Sequence, residues 1–189
     1  AIGTTVPSSW NITRIAALGC DDGSTTCTRN RKFLFGPDVV TISGGGYAVL
    51  IGSGDREKPL GSSTYGASNA VQNYFFRVDD QPGNSSWLTS ENATCSSALM
   101  CRDSLTPIPA NSNPTSSDLA AKKGWYLPLA STENVVTSAI TVSDTVTFST
   151  FKPAIYDANA CSGNLGEANV YNLNYTNGAP SVGLTRYQR

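Results

Sequence analysis

The chain reads as an all-β protein, and three observations lead to that class. Its β-branched and aromatic runs are short and end at Gly, Pro or Asp, as strands of a multi-stranded sheet do. The stretches between them are rich in Ser, Thr, Asn and Gly, residues that favour turns over helix interiors. Helical periodicity is confined to two short candidates, Ala67–Gln72 and Ser116–Lys123.

Taken in order, the strand candidates are Val39–Ile42, Tyr47–Ile51, Tyr74–Val78 and Trp125–Leu127. The second half adds Val135–Val142, which meets Val146–Phe151 across Ser143-Asp144-Thr145, a connection of hairpin length, and then Ala168–Tyr175. Thr89–Ser117, rich in Ser, Asn and Pro, reads as a surface insertion pinned by a disulfide. These features divide the chain into a loop-rich segment 1–35 and a β region 36–189 with a long insertion at about 89–117. A weak internal repeat links the two halves of that β region. Tyr47–Ile51 is followed by Phe75–Gly83, and Val146–Phe151 by Val170–Gly178. Each unit runs from an apolar strand across a long loop to an alternating strand and a polar turn closed by Gly, the pattern of propeller blades or solenoid rungs.

Bulk properties exclude several functions. Only 14% of residues are charged and the net charge is −1, so nucleic acid has no basic surface to bind. No apolar run approaches the length of a membrane span. There is no histidine, which rules out Ser-His-Asp and Cys-His catalysis within the chain. Carboxylate pairs remain, yet Asp79 and Asp80 are neighbours on a strand and point to opposite faces. The chain is therefore expected not to be an enzyme.

The five cysteines carry more information. Cys20 and Cys27 bracket a turn-rich hexapeptide, and Cys95 and Cys101 bracket a second short loop. Zinc sites use closer Cys pairs and often His, so two local disulfides are expected, and with them an oxidising compartment. Cys161 is left over. Asp79 and Asp80 are weak calcium candidates, because their acidic turn lacks the spaced oxygen ligands of a calcium loop. Trp10, Trp87 and Trp125 support an alternative reading as a secreted carbohydrate-binding β module.

The most distinctive stretch is Gly46–Leu60, where a buried strand ends in Gly52-Ser53-Gly54 and continues into Asp55, Arg56, Glu57 and a Pro. Without a Gly-Lys-Ser/Thr or a following helix it is no phosphate cradle. It reads as a corner whose glycines let backbones approach. In order and wording this stretch resembles the PilC/PilY family of type IV pilus-associated proteins. Pro37-Asp38-Val39-Val40, Val71–Val78, Lys123–Leu127, Val135–Ser138 with Val146–Phe151, and Cys161–Gly166 with Asn169–Leu173 resemble further elements of that family, in its order. The likeness covers roughly residues 36–178.

That resemblance implies β-propeller-like blades, an incomplete portion of a modified PQQ-dehydrogenase-like propeller. It also implies a structural or interaction role in adhesion, pilus assembly and surface attachment. The expected location is the periplasm, outer cell surface or pilus tip of a bacterium. Expected partners are pilins or minor pilins, the remainder of its own propeller, and a surface ligand or host receptor. No cofactor is expected in this chain, calcium being possible elsewhere in a full-length protein. Two blades cannot close a ring, so the chain is expected to be part of a longer polypeptide, the alternative being that it packs against partner chains.

Overall fold

The computed structural model describes residues 12–24, 26–28, 30–55, 71–95, 97–109, 112–154, 165–181 and 185–188. The chain is mainly β, and its described residues form two sheets with no closed barrel among them. The first sheet contains β1 (Asp38–Ile42), β2 (Gly46–Gly52), β3 (Tyr74–Asp80), β4 (Thr106–Pro107) and β5 (Gly124–Pro128). Its order is β1-β2-β3-β5-β4, antiparallel throughout except for the parallel edge pair β4–β5. The second sheet contains β6 (Asn134–Val135), β7 (Ile140–Val142), β8 (Thr145–Lys152), β9 (Glu167–Asn174) and β10 (Tyr187–Gln188). Here β6 and β7 both pair with β8, which continues to β9 and β10, all antiparallel.

The expected strands lie where their runs place them, with one break. Val135–Val142 is divided into β6 and β7, although Val136 N still donates to Ser149 O. At the break the Thr137 hydroxyl accepts from Ser149 N at 2.9 Å, so a side chain replaces a backbone carbonyl in the ladder. β7 and β8 are joined by Ser143 and Asp144, with Ser143 at a φ of 53°. The helix expected at 116–123 is shorter, α1 (Ser116–Ala120), with Thr115 as its N-cap. Residues 67–70 of the other helix candidate lie outside the described residues, and Val71 and Gln72 are not helical.

The two repeat units become the central strand pairs of the two sheets, β2–β3 and β8–β9, and these pack face to face. Alternation sends Leu50, Phe75, Trp125 and Leu127 inward from the first sheet and Val146, Phe148, Tyr171 and Leu173 inward from the second. Phe75 stacks on Phe148 with ring centroids 3.8 Å apart, and Phe148 stacks on Tyr171 at 4.9 Å. Such contacts contribute about 0.5–1.5 kcal/mol each beyond the area they bury.

The opposite face of the first sheet is also covered. Tyr74, Phe76 and Val78 are buried there beneath Leu18, Met100 and Leu105, with Ile15, Ala16 and Phe33 alongside. The 89–117 stretch is therefore more than a surface insertion. It places Met100 and Leu105 on this face, sends Ile108 into the inter-sheet core, and lends β4 to the sheet edge. Segment 12–35 is stitched to it by Ala17 N donating to Met100 O and Met100 N donating to Ile15 O. Buried Arg31 donates to Leu18 O and Gln72 O, pairs with Asp21 and lies over the Tyr74 ring.

The Cys20–Cys27 and Cys95–Cys101 disulfides are both formed, and they pin the two covering segments. Closing loops this short stabilises each by roughly 2 kcal/mol in the chain-entropy account. Cys161 lies outside the described residues. The outer face of the second sheet carries Thr147, Ser149 and Asn172 with exposed Ile140, Val142 and Val170. No helix among the described residues is long and apolar enough to cross a membrane. Phe148→Ala removes the middle ring of the stack and should lower unfolding free energy by about 3–5 kcal/mol, read as a shifted urea midpoint.

Candidate functional site: the junction of the two sheets and its buried carboxylate

At Gly52 the strand β2 leaves the first sheet and runs against the second. Ser53 O accepts from Val135 N at 3.1 Å, while Ser53 N donates to Tyr74 O at 2.9 Å. One residue thus joins both sheets by its backbone. A Cβ on Gly52 would lie 2.4 Å from Val135 Cγ2, and one on Gly54 would lie 2.6 Å from Val135 O. The Gly54 contact is to backbone, which has little room to yield.

Polar side chains complete the junction. Ser53 Oγ donates to Asn73 Oδ1 at 3.0 Å. Asn73 Nδ2 donates to Glu133 O at 3.0 Å and Asn134 Oδ1 at 2.9 Å. Asn134 Oδ1 also accepts from Asp55 N at 2.9 Å. The Asp55 carboxylate pairs with Lys32 Nζ at 3.1 Å. Arg56 and Glu57, the other charges of the corner, lie outside the described residues. The corner thus brings Gly52 and Gly54 to the junction and leaves Asp55 at its rim.

A second tie closes the far end of the interface. Trp125 Nε1 donates to Tyr175 O at 3.0 Å, and Arg77 Nη1 donates to Thr176 O at 2.6 Å. Arg77 also holds Asp79 through Nε–Oδ1 at 2.7 Å and Nη2–Oδ2 at 2.9 Å. Burial raises the Asp79 carboxyl above its ordinary value, against the opposing pull of Arg77. Both Asp79 oxygens therefore serve an arginine inside the fold, and Asp80, the next residue on the strand, lies on the other face. Among the described residues, no three His, Cys, Asp or Glu side chains gather into a metal-binding group.

Beside the junction lies a group that the sequence reading missed. Glu133 is only 1% exposed. Its carboxylate accepts from Ala130 N at 2.8 Å, Asn169 Nδ2 at 3.1 Å, Tyr171 Oη at 3.1 Å, and the Thr150 hydroxyl. Burial, followed by the adjacent Glu133, pushes the Tyr171 hydroxyl far up. The cluster lines a cavity of about 710 Å³ whose wall includes Lys152, Glu167, Arg186 and Tyr187. Arg186 donates to Ser112 O at 2.6 Å and Asn113 Oδ1 at 3.0 Å, and burial lowers its pKa.

A signal for this cluster exists in the alternation of the strands. The inward positions of β8 run Val146, Phe148, Thr150, Lys152, and those of β9 run Leu173, Tyr171, Asn169, Glu167. Both change from apolar to polar at the same end, so polar side chains must meet between the sheets there. Chemically, the cluster holds a carboxylate, a carboxamide and a phenol out of bulk water, with a lysine on the same wall.

Gly54→Ala should destabilise the chain by about 2–4 kcal/mol, because a methyl group there meets backbone that cannot move aside; a urea midpoint within error of wild type would contradict this close approach. Glu133→Ala strips four donors of their acceptor and should cost about 3–5 kcal/mol by the same measurement. No protein-family model, curated protein or solved structure matches this chain.

Proposed function

We propose that this chain is a structural and interaction part of a type IV pilus tip or pilus-biogenesis protein, acting by contact rather than by catalysis. One observation carries the reading. Each sheet is an up-and-down antiparallel meander, β1-β2-β3-β5 in one and β7-β8-β9-β10 in the other. The two meanders lie face to face, as neighbouring blades of a propeller do, and the Gly52-Ser53-Gly54 corner that resembles the family signature sits at their seam.

Other features are compatible with that role. The formed disulfides suit an extracytoplasmic location. The outer face of the second sheet is uncharged at Ile140, Val142, Thr147, Ser149, Val170 and Asn172, as a face meeting a further blade of the same propeller needs to be. Pilins or minor pilins are the proposed partners. The carbohydrate-binding alternative has less support, since Trp125 is sealed in the core and Lys123 lies over the Trp87 ring. Trp10 lies outside the described residues.

The test is deletion of the gene in its native bacterium, with surface pili counted by electron microscopy and attachment to a surface measured. The expected result is a clear loss of both, restored by the wild-type gene. Normal piliation and attachment would overturn the proposal, and selective binding of the purified protein to one glycan on an array would then favour the alternative.

A further inference from the structure

We infer that Lys152 and Asn169 become joined by an intramolecular amide bond, a covalent rung between β8 and β9 formed with Glu133 as the acid–base group. The register places Thr150 opposite Asn169 and Lys152 opposite Glu167. Lys152 and Asn169 are thus diagonal neighbours on the inward face, about 7–8 Å apart along the sheet, a gap that a lysine stem bridges. Lys152, Asn169 and Glu133 line the same cavity.

The carboxamide of Asn169 is held as an acceptor of attack. It is 4% exposed, and its Nδ2 donates to Glu133 Oε1 at 3.1 Å. That bond fixes which way the amide points, because the reverse orientation would set two acceptor oxygens against each other. Among the described residues its Oδ1 finds no hydrogen-bond partner, an uncommon state for a buried carbonyl and one that calls for an explanation. Tyr171 Oη and the Thr150 hydroxyl donate to the same carboxylate and keep it in place.

The chemistry closes without an oxidant or a cofactor. Glu133 takes a proton from the Lys152 ammonium, and the freed Nζ lone pair attacks Asn169 Cγ. The Nζ–Cγ bond forms as the carbonyl π electrons move to Oδ1. Glu133 then delivers its proton to Nδ2, the atom it already touches, and takes a second proton from Nζ. The carbonyl re-forms, the Cγ–Nδ2 bond breaks and ammonia leaves, picking up the proton from Glu133. The net change converts an ammonium and a primary carboxamide into a secondary amide and an ammonium ion. General-base activation of a lysine beside a buried carboxylate is ordinary nucleophile chemistry, and Glu133 is positioned on the leaving nitrogen.

The test is the mass of the purified full chain after reduction and alkylation. The expected value is about 17 Da below that of the sequence, the loss of one ammonia. Digestion with a protease that cuts after glutamate separates Lys152 from Asn169 at Glu167, so the bond should appear as one branched peptide. Lys152→Arg keeps the charge and the packing but has no reactive amine, and Glu133→Gln removes the base; both should show the full mass. An unmodified wild-type mass would overturn the inference. So would a loss of ammonia confined to a linear peptide at Asn169, which marks cyclisation onto the following backbone nitrogen.

Discussion

The architecture depends on how closely two backbones approach at Gly52–Gly54. Because neither glycine carries a Cβ, Val135 can bring both its side chain and its peptide group against the corner, and Ser53 can bond to both sheets. The aromatic stack then falls into line, since Phe75 pairs with Gly52 across β2–β3. Setting the two sheets at that distance brings Phe75 onto Phe148, and Phe148 onto Tyr171. A wider gap would leave the rings out of contact and the inward polar groups hydrated. The junction therefore sets the spacing on which both the apolar core and the buried carboxylate rely.

The two sheets are treated unequally outside that junction. The first is buried on both sides: β3 presents Phe75 to one core and Tyr74 and Phe76 to the other, with its outer cover held by two disulfides. Among the described residues, the second has one buried face and one uncharged face on which Thr, Ser and Asn stand beside exposed Ile140, Val142 and Val170. Exposed β-branched residues on a regular strand pair are a liability in an isolated protein. They are acceptable where another surface covers them, which fits the part proposed for the chain within a larger propeller.

Much of the fold was legible because β structure with one buried face writes itself as alternation. Val146, Phe148 and Leu173 show it, and the repeat Tyr47–Gly83 against Val146–Gly178 marks the pairs that became the sheet centres. Gly178, at a φ of 67°, also fills the turn role that the repeat assigns it. What composition hid was partnership. The 89–117 stretch is polar enough to read as solvent-exposed, yet Met100, Leu105 and Ile108 within it are buried, together with both disulfide cysteines and Glu91, Ser104 and Thr106. Glu133 was invisible for another reason. Its significance comes from Thr150, Asn169 and Tyr171, which lie on two other strands and acquire a shared target only once those strands face β6.

The long separation spanned by the junction has a consequence for how the chain reaches this state. Asp55 and Asn134 are 79 residues apart, and Asn73 and Asn134 are 61 apart. Contacts of that range form late, because the loop between them must be ordered before the contact repays it. The two disulfides close intervals of only 7 and 6 residues, so they can form in a chain that has no tertiary structure. Oxidation and assembly are therefore separable: the covers can be locked while the sheets they protect are still unpaired. During that interval the strands of both sheets have open edges, and the slow step is also the one most exposed to a wrong partner.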